Sequence, residues 1–138
     1  MPGPLERDDR ISREVQEMLA DRYDVHELIG EGGIGRVYRG VLRERSLPVA
    51  IKVLRAEVAA QREVLTRFQR EAETASSIGN PHIVKIVELA TLPNGSAYLV
   101  MEHLEGCTLA EHVKGRALPV QEAIALSMQI MEALGACH

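Results

Sequence analysis

The sequence predicts an α+β fold in which a five-stranded antiparallel sheet is crossed by one helix. Three strand-like segments come first, one long segment with helical periodicity follows, and two further strand-like segments come after it. The strands follow one another as hairpins around that helix, which is the order of α+β folds rather than of a doubly wound parallel sheet. The remainder of the chain, to its carboxyl end, predicts helices.

The composition indicates a globular chain that does not bind nucleic acid. Its 138 residues, 46% of them hydrophobic, suffice for one buried core. A formal net charge of −4 argues against general nucleic-acid binding. Only 3% of the residues are aromatic, so single-stranded nucleic acid has few side chains on which to stack.

Nothing in the sequence predicts a membrane segment, a secretion signal or a metal site. Residues 1–10 are polar and charged, and no apolar run approaches the ~18 residues that a membrane span needs. Cys107 and Cys137 are too few and too isolated for a disulfide framework, and the five histidines lack metal-ligand spacing. We therefore expect a cytoplasmic protein with two free thiols.

The amino-terminal elements are predicted by periodicity. A partial apolar stripe predicts a short helix over residues 5–20, and residues 23–28 predict the first strand. Residues 36–42 alternate polar and apolar side chains, which predicts the second strand. A turn that contains Pro48 then leads into a third predicted strand over residues 49–54.

The crossing helix and the last two strands follow. Apolar residues recur every three or four positions over residues 56–78, which predicts a helix that ends at Gly79. Strands are predicted over residues 83–89 and 97–101, and the Asn94-Gly95 pair between them favours a tight hairpin turn.

Two helices are predicted after the sheet. Thr108 is a helix cap for a short helix that ends near Val113, and Pro119 opens a long helix through residues 120–137. This long helix is apolar nearly all round, a pattern typical of helices buried on every side. Exposed apolar surface of this kind favours association, so a homo-oligomer through residues 120–138 is expected.

A glycine-rich segment separates the first two strands. Gly30, Gly32 and Gly35 have the spacing G-x-G-x-x-G, which two classes of phosphate-binding loop share. Gly32 and Gly33 let the backbone approach phosphate oxygens because no Cβ stands in the way. Since a strand pattern follows the loop, a phosphate-binding hairpin is predicted, and a glycine-rich turn without a ligand is the alternative.

Lys52 lies in an apolar strand and therefore needs an acidic partner. In strand geometry Ala50 and Lys52 share one face, while Val49, Ile51 and Val53 take the other. The small side chain of Ala50 leaves room for a flat base, and the Lys52 ammonium lies one step further along the same face of the strand. An unpaired buried ammonium is costly. The crossing helix offers three glutamates: Glu63, Glu71 and Glu73. Two unrelated surface charges are the alternative.

Together these segments resemble the amino-terminal lobe of Hanks-type protein kinases, most closely that of the bacterial serine/threonine kinases. Residues 30–37 match the family's G-x-G-x-x-G-x-V loop, and residues 49–52 match its V-A-I-K motif. Five matching stretches follow in the family's order and span nearly the whole chain from Tyr23 onward: residues 29–37, 49–52, 68–72, 80–84 and 99–109.

The resemblance implies an ATP site with Lys52 as its central cation. It implies an ion pair between Lys52 and Glu71, the two catalytic residues of this chain, which orients Lys52 toward the α- and β-phosphates. It places Met101 behind the adenine, with the carbonyl of Glu102 and the N–H of Leu104 binding the base. The implied nucleotide contacts are Ile29, Gly30, Glu31, Gly32, Gly33, Ile34, Gly35, Val37, Ala50, Lys52, Met101, Glu102 and Leu104.

The resemblance also implies how the chain is divided. Residues 1–22 form a partly helical extension, residues 23–104 a kinase N-lobe with glycine loop and hinge, and residues 105–138 the start of a C-lobe truncated before the catalytic loop. Neither H-R-D-x-x-x-x-N nor D-F-G is present, so the Mg²⁺ expected for the intact kinase has no ligands in this chain. At residues 80–82 the family's H-P-N order becomes N-P-H.

The implied function is that of a protein serine/threonine kinase, which transfers the γ-phosphoryl group of ATP to protein hydroxyls. Its partners are ATP and a protein substrate, and the chain alone is expected to be inactive. A free-standing N-lobe or pseudokinase-like protein-interaction module is the alternative. A dinucleotide-binding domain is disfavoured because its glycines stand between a strand and a helix.

Overall fold

The computed structural model describes residues 13–138. Within these residues the strands are β1 (Tyr23–Glu31), β2 (Gly35–Leu42), β3 (Leu47–Leu54), β4 (Ile86–Thr91) and β5 (Ala97–Glu102). The helices are α1 (residues 13–19), α2 (Ala56–Ala59), α3 (Arg62–Ile78), α4 (Leu109–Val113) and α5 (Val120–Cys137). The first part of the helix predicted over residues 5–20 lies outside the described residues.

The strands form one antiparallel sheet in the order β1-β2-β3-β5-β4. This order confirms the predicted α+β sheet, with α2 and α3 connecting β3 to the edge strand β4. The sheet is strongly curved, since the two edge strands meet where the Tyr23 hydroxyl of β1 donates to Glu88 Oε2 of β4 at 2.5 Å. Burial, and secondarily this hydrogen bond, raise the pKa of the Tyr23 hydroxyl.

Several strand boundaries differ from the prediction by one to three residues, and one predicted helix is split in two. The helix predicted over residues 56–78 is split at Gln61, which is extended at φ −83° and ψ 103°. Neither glycine nor proline marks this break, so periodicity alone could not find it. The strand predicted over residues 83–89 begins at Ile86. A turn precedes it because the Asn80 side chain accepts a hydrogen bond from the N–H two residues later, at 2.8 Å.

The predicted caps and the Asn94-Gly95 turn are confirmed, whereas Pro48 lies within β3 and not in the turn before it. Gly79 ends α3 in the left-handed conformation, at φ 64°, and Gly95 takes φ 85° in the β4–β5 turn. The Thr108 side chain and Glu111 form a capping box at the start of α4. Pro119 is the cap residue of α5.

The sheet buries side chains on both faces. Val49, Ile51 and Val53 of β3 are at most 8% exposed and belong to a core cluster on the α1 side of the sheet. On the other face Phe68 and Ala72 of α3 pack in a second cluster that includes Leu99, Leu54 and Ala97. The period-2 pattern of β3 therefore separates a core face from the face on which the candidate site lies.

Helix α1 belongs to the core. Val15 and Leu19 are 3% and 5% exposed and share a cluster with Tyr23 and Tyr38. We expect Leu19→Ala to lower the free energy of unfolding by about 2–4 kcal/mol, because truncating a buried leucine leaves a cavity. Denaturant unfolding measures this, with the exposed Glu17→Ala of the same helix as control, expected within about 0.5 kcal/mol of the parent. Equal effects of the two changes would contradict the packing of α1.

Helix α5 exposes the apolar side chains that the sequence pattern indicated. Val120 is 74% exposed and Met131 62%, and Ile124, Met128, Ile130 and Leu134 are about half exposed. No helix among residues 13–138 is long and apolar enough to cross a bilayer. A contact links α5 to the turn before β4, because His82 Nε2 lies 2.9 Å from Glu132 Oε2. The N-P-H order thus places a histidine after the proline, where it reaches this helix.

Candidate functional site

The glycine loop is the turn of the β1–β2 hairpin. Glu31 pairs with Arg36 across the hairpin, and the Gly32 N–H donates to the carbonyl of Gly35 at 3.0 Å. A strand follows the loop, as predicted. Since the dinucleotide-binding loop leads into a helix instead, this geometry argues against that alternative.

The glycines of the loop meet different surroundings. A Cβ on Gly35 would lie 2.3 Å from the carbonyl oxygen of Val53, so glycine is required there for β2 to pair with β3. At Gly32 and Gly33 nothing lies within 4 Å of an added Cβ. Open space beside bare backbone is what a phosphate group needs for a close approach to N–H groups.

Lys52 projects from the face of β3 predicted from the sequence. Ala50, 7% exposed, and the half-buried Lys52 lie opposite the core face. Lys52 pairs with Val37 of β2, and Ala50 pairs with Met101 of β5, so these four side chains share one face on three adjacent strands. The register therefore brings together the lysine, a small residue and two apolar residues beside the glycine loop.

The ion pair implied between Lys52 and Glu71 is not formed. Among the ion pairs of the described residues none joins the two side chains, and Glu71 is exposed. The sheet-facing side of α3 is taken by the buried Phe68 and Ala72, and helical spacing puts Glu71 on its flank. The Lys52 ammonium instead lies 5.9 Å from the centroid of the Phe68 ring, a cation–π distance.

The segment after β5 leaves the backbone N–H of Leu104 open. The N–H of Glu102 donates to the Lys85 carbonyl at 2.9 Å, and the N–H of His103 donates to the Pro48 carbonyl at 3.4 Å. Within residues 13–138 the N–H of Leu104 has no such acceptor. This is the N–H for which a role in binding the base was expected.

Several of the predicted contact residues are exposed apolar side chains. Ile29 is 48% exposed, Ile34 43% and Leu104 66%. Ile29 lies on β1 before the loop, Ile34 in the loop and Leu104 at the hinge. Val37 lies between them on β2. A flat apolar base packed on Ile29 and Leu104 would remove their surface from water.

Two arginines at the loop were not singled out by sequence reasoning. Arg36 Nε lies 3.0 Å from Glu31 Oε1, and Arg55 Nη2 lies 2.7 Å from the same oxygen. Hydrogen bonding to Arg36, against a smaller cost of desolvation, lowers the pKa of the Glu31 carboxyl. The only signal in the sequence was the acidic Glu31 within the glycine loop together with two arginines. Arg36 directly follows the loop, and Arg55 directly follows the third strand.

The chain matches known proteins along most of its length. The family described as "Protein kinase domain" matches residues 23–138. The serine/threonine-protein kinase PrkC of Bacillus subtilis is 36% identical over 127 residues, which are 90% of this chain and 19% of PrkC. The serine/threonine-protein kinase PknB of Mycolicibacterium smegmatis is 36% identical over 125 residues, 87% of this chain and 20% of PknB.

Solved structures agree with the sequence relatives. The crystal structure of the Mycobacterium tuberculosis PknI kinase domain superposes with a TM-score of 0.73 at 29% identity, covering 84% of this chain and 47% of that domain. The chain thus spans about a fifth of the curated relatives and about half of a solved kinase domain. The glycine-loop hairpin, the lysine of β3 and the match over residues 23–138 lead to one conclusion: this chain belongs to the protein kinase domain family.

Proposed function

We propose that this chain is the ATP-binding part of a protein serine/threonine kinase, which transfers the γ-phosphoryl group of ATP to protein hydroxyls. The observation that carries the proposal is the register of β2 and β3, in which Val37 pairs with Lys52 directly beside the glycine loop. That register sets an apolar side chain, an ammonium and open loop backbone on one face, which suits a purine with its phosphates.

Each part of the site has a task in this proposal. The adenine packs between Ile29 and Val37 on one side and Leu104 on the other, and the Leu104 N–H donates to its ring. Main-chain donors are already fixed, so recognition costs little side-chain entropy. The bare backbone of Gly32 and Gly33 lets the phosphates approach, and the Gly33 N–H and the Lys52 ammonium bind them.

Glu71 acts in the proposal only after α3 changes its position. Because Phe68 lies beside the Lys52 ammonium and Glu71 stands on the flank of α3, pairing requires a rotation of the helix toward the sheet. Kinases need this pair in place for phosphoryl transfer. The observed arrangement supports assigning this chain to the unpaired, non-transferring state.

The family as a whole uses Mg²⁺ with ATP, but the described residues do not fit that ion. Residues 13–138 contain no group of three or more His, Cys, Asp or Glu side chains placed to hold a metal. From the kinase resemblance we assign residues 23–104 to the N-lobe, residues 105–138 to the start of the C-lobe, and residues 1–22 to an extension. The metal ligands belong to neither part.

The 138-residue chain alone is expected to show no ATP-dependent phosphorylation of protein substrates, since the catalytic base and metal ligands are missing. A radiolabelled γ-phosphate assay with purified chain measures this. Lys52→Ala is the control, because a signal that survives it comes from a contaminating kinase. Transfer that is present in the parent and lost in Lys52→Ala would contradict the expectation.

The alternative function is a protein-interaction module without catalysis. The exposed apolar side chains of α5, among them Val120 and Met131, favour this hypothesis, and two copies are expected to associate through them.

Cys107 and Cys137 are both free and exposed, which suits the cytoplasmic location that forms part of the proposal. ATP binding distinguishes the functions, because the module alternative does not require it.

A further inference from the structure

Arg55 contacts three positions of the glycine loop at once. Its Nη2 lies 2.7 Å from Glu31 Oε1, and its Nε and Nη2 each lie 3.4 Å from the carbonyl oxygen of Gly32. Its backbone N–H donates to the carbonyl of Ile34 at 3.0 Å. The first residue after β3 thus contacts both sides of the loop tip.

The carboxylate of Glu31 is held on the face away from Lys52. Glu31 pairs across the hairpin with Arg36, which in turn pairs with Val53 on the core face of β3. Lys52 pairs with Val37 and therefore lies on the opposite face. A carboxylate turned toward the phosphates would repel them, whereas here two guanidinium groups hold it on the other side of the hairpin.

Besides these contacts, the loop tip is held by the hydrogen bond from the Gly32 N–H to the Gly35 carbonyl at 3.0 Å. An added Cβ on Gly32 or Gly33 would meet nothing within 4 Å, so no side chain packs against either residue there. A tip of bare glycine loses much conformational freedom when it closes on a ligand. Contacts that order the loop beforehand reduce that cost.

We propose that Arg55 is a positioning residue, which through Glu31 and the Gly32 carbonyl holds the glycine loop ready for the phosphates of a nucleotide. The inference rests on the proposed function for the identity of the ligand. The planar guanidinium is essential to it, because one group must meet a carboxylate and a carbonyl together. A lysine would keep the charge but not this geometry.

The test compares Arg55→Ala and Arg55→Lys with a matched control, Arg43→Ala. Arg43 makes an ion pair of the same kind with Asp24, with nitrogens 2.7 and 2.6 Å from Oδ1, at the far end of the same hairpin. Two readouts are taken on the full chain. Amide hydrogen exchange at Gly32 reports loop order without nucleotide, and fluorescence of a mant-ATP probe reports nucleotide binding.

We expect both Arg55 variants to speed exchange at Gly32 roughly threefold to tenfold, the range of a single partly exposed ion-pair and hydrogen-bond network. The probe's dissociation constant should rise by a similar factor, with Arg43→Ala unchanged in both. Parent-like exchange in Arg55→Ala would overturn the inference, and so would full rescue by Arg55→Lys. If the parent binds no probe, the proposed function fails, while exchange at Gly32 still decides whether Arg55 orders the loop.

Discussion

Replacing Gly35 with alanine is expected to destabilise the domain by about 3 kcal/mol or more. The new Cβ would lie 2.3 Å from the Val53 carbonyl oxygen, and both groups belong to the backbone of paired strands. Neither can move without separating β2 from β3, so the cost reaches the upper range for overpacking. Thermal unfolding followed by circular dichroism should show a fall in Tm on the order of 10 °C.

The loop itself supplies the control for Gly35→Ala. Gly33→Ala adds the same methyl group two residues away, where nothing lies within 4 Å of it. We expect its Tm to stay within about 2 °C of the parent, as for an ordinary surface change. Equal Tm values for the two variants would show that the close β2–β3 approach at Gly35 is wrong.

Replacing Lys52 with alanine is expected to weaken ATP binding by roughly tenfold to a hundredfold. The change removes the ammonium that the proposal assigns to the phosphates, and hydrogen bonds to charged groups contribute about 1.5–3 kcal/mol. The folded state loses the contact with the Phe68 ring at 5.9 Å, about 0.5–1 kcal/mol. Isothermal calorimetry with ATP measures the first effect and denaturant unfolding the second.

Lys85→Ala is the matched control for Lys52. Lys85 is an exposed lysine just before β4. Its backbone bonds to Glu102 through an N–H and a carbonyl that Lys85→Ala keeps, so removal of the ammonium should leave ATP affinity unchanged. A loss of affinity shared by both variants would indicate a general charge effect rather than a phosphate site. Unchanged ATP affinity in Lys52→Ala would show that Lys52 does not bind the phosphates.

The sheet and the face of the site were predictable from the sequence because each rests on local pattern. The alternation in β2 and β3 predicted which side chains share a face. The glycine spacing, followed by a strand pattern, predicted the hairpin. The break at Gln61 was not predictable, since the residues around it suit a helix on either side. The docking of α1 also required the structure, because its apolar stripe was only partial.

Relations between elements could not be derived from pattern in the same way. Whether Glu71 meets Lys52 depends on the rotation of α3 over the sheet, which Phe68 and Ala72 set through packing. The arginine contacts of Glu31 depend on the register of β1, where irregularities between Val25 and Gly30 shift the pairing. One such shift changes which residue stands opposite Arg36.

The most direct test of the central claim is a titration of the isotope-labelled chain with ATP, followed by amide chemical shifts. Because binding without metal ligands is expected to be weak, a per-residue readout is more decisive than an affinity. Saturable shifts are expected at the amides of Gly32, Gly33, Lys52 and Leu104, all diminished in Lys52→Ala. Shifts confined to α5, or no saturable shift at these amides with millimolar ATP, would contradict a nucleotide site on this face of the sheet.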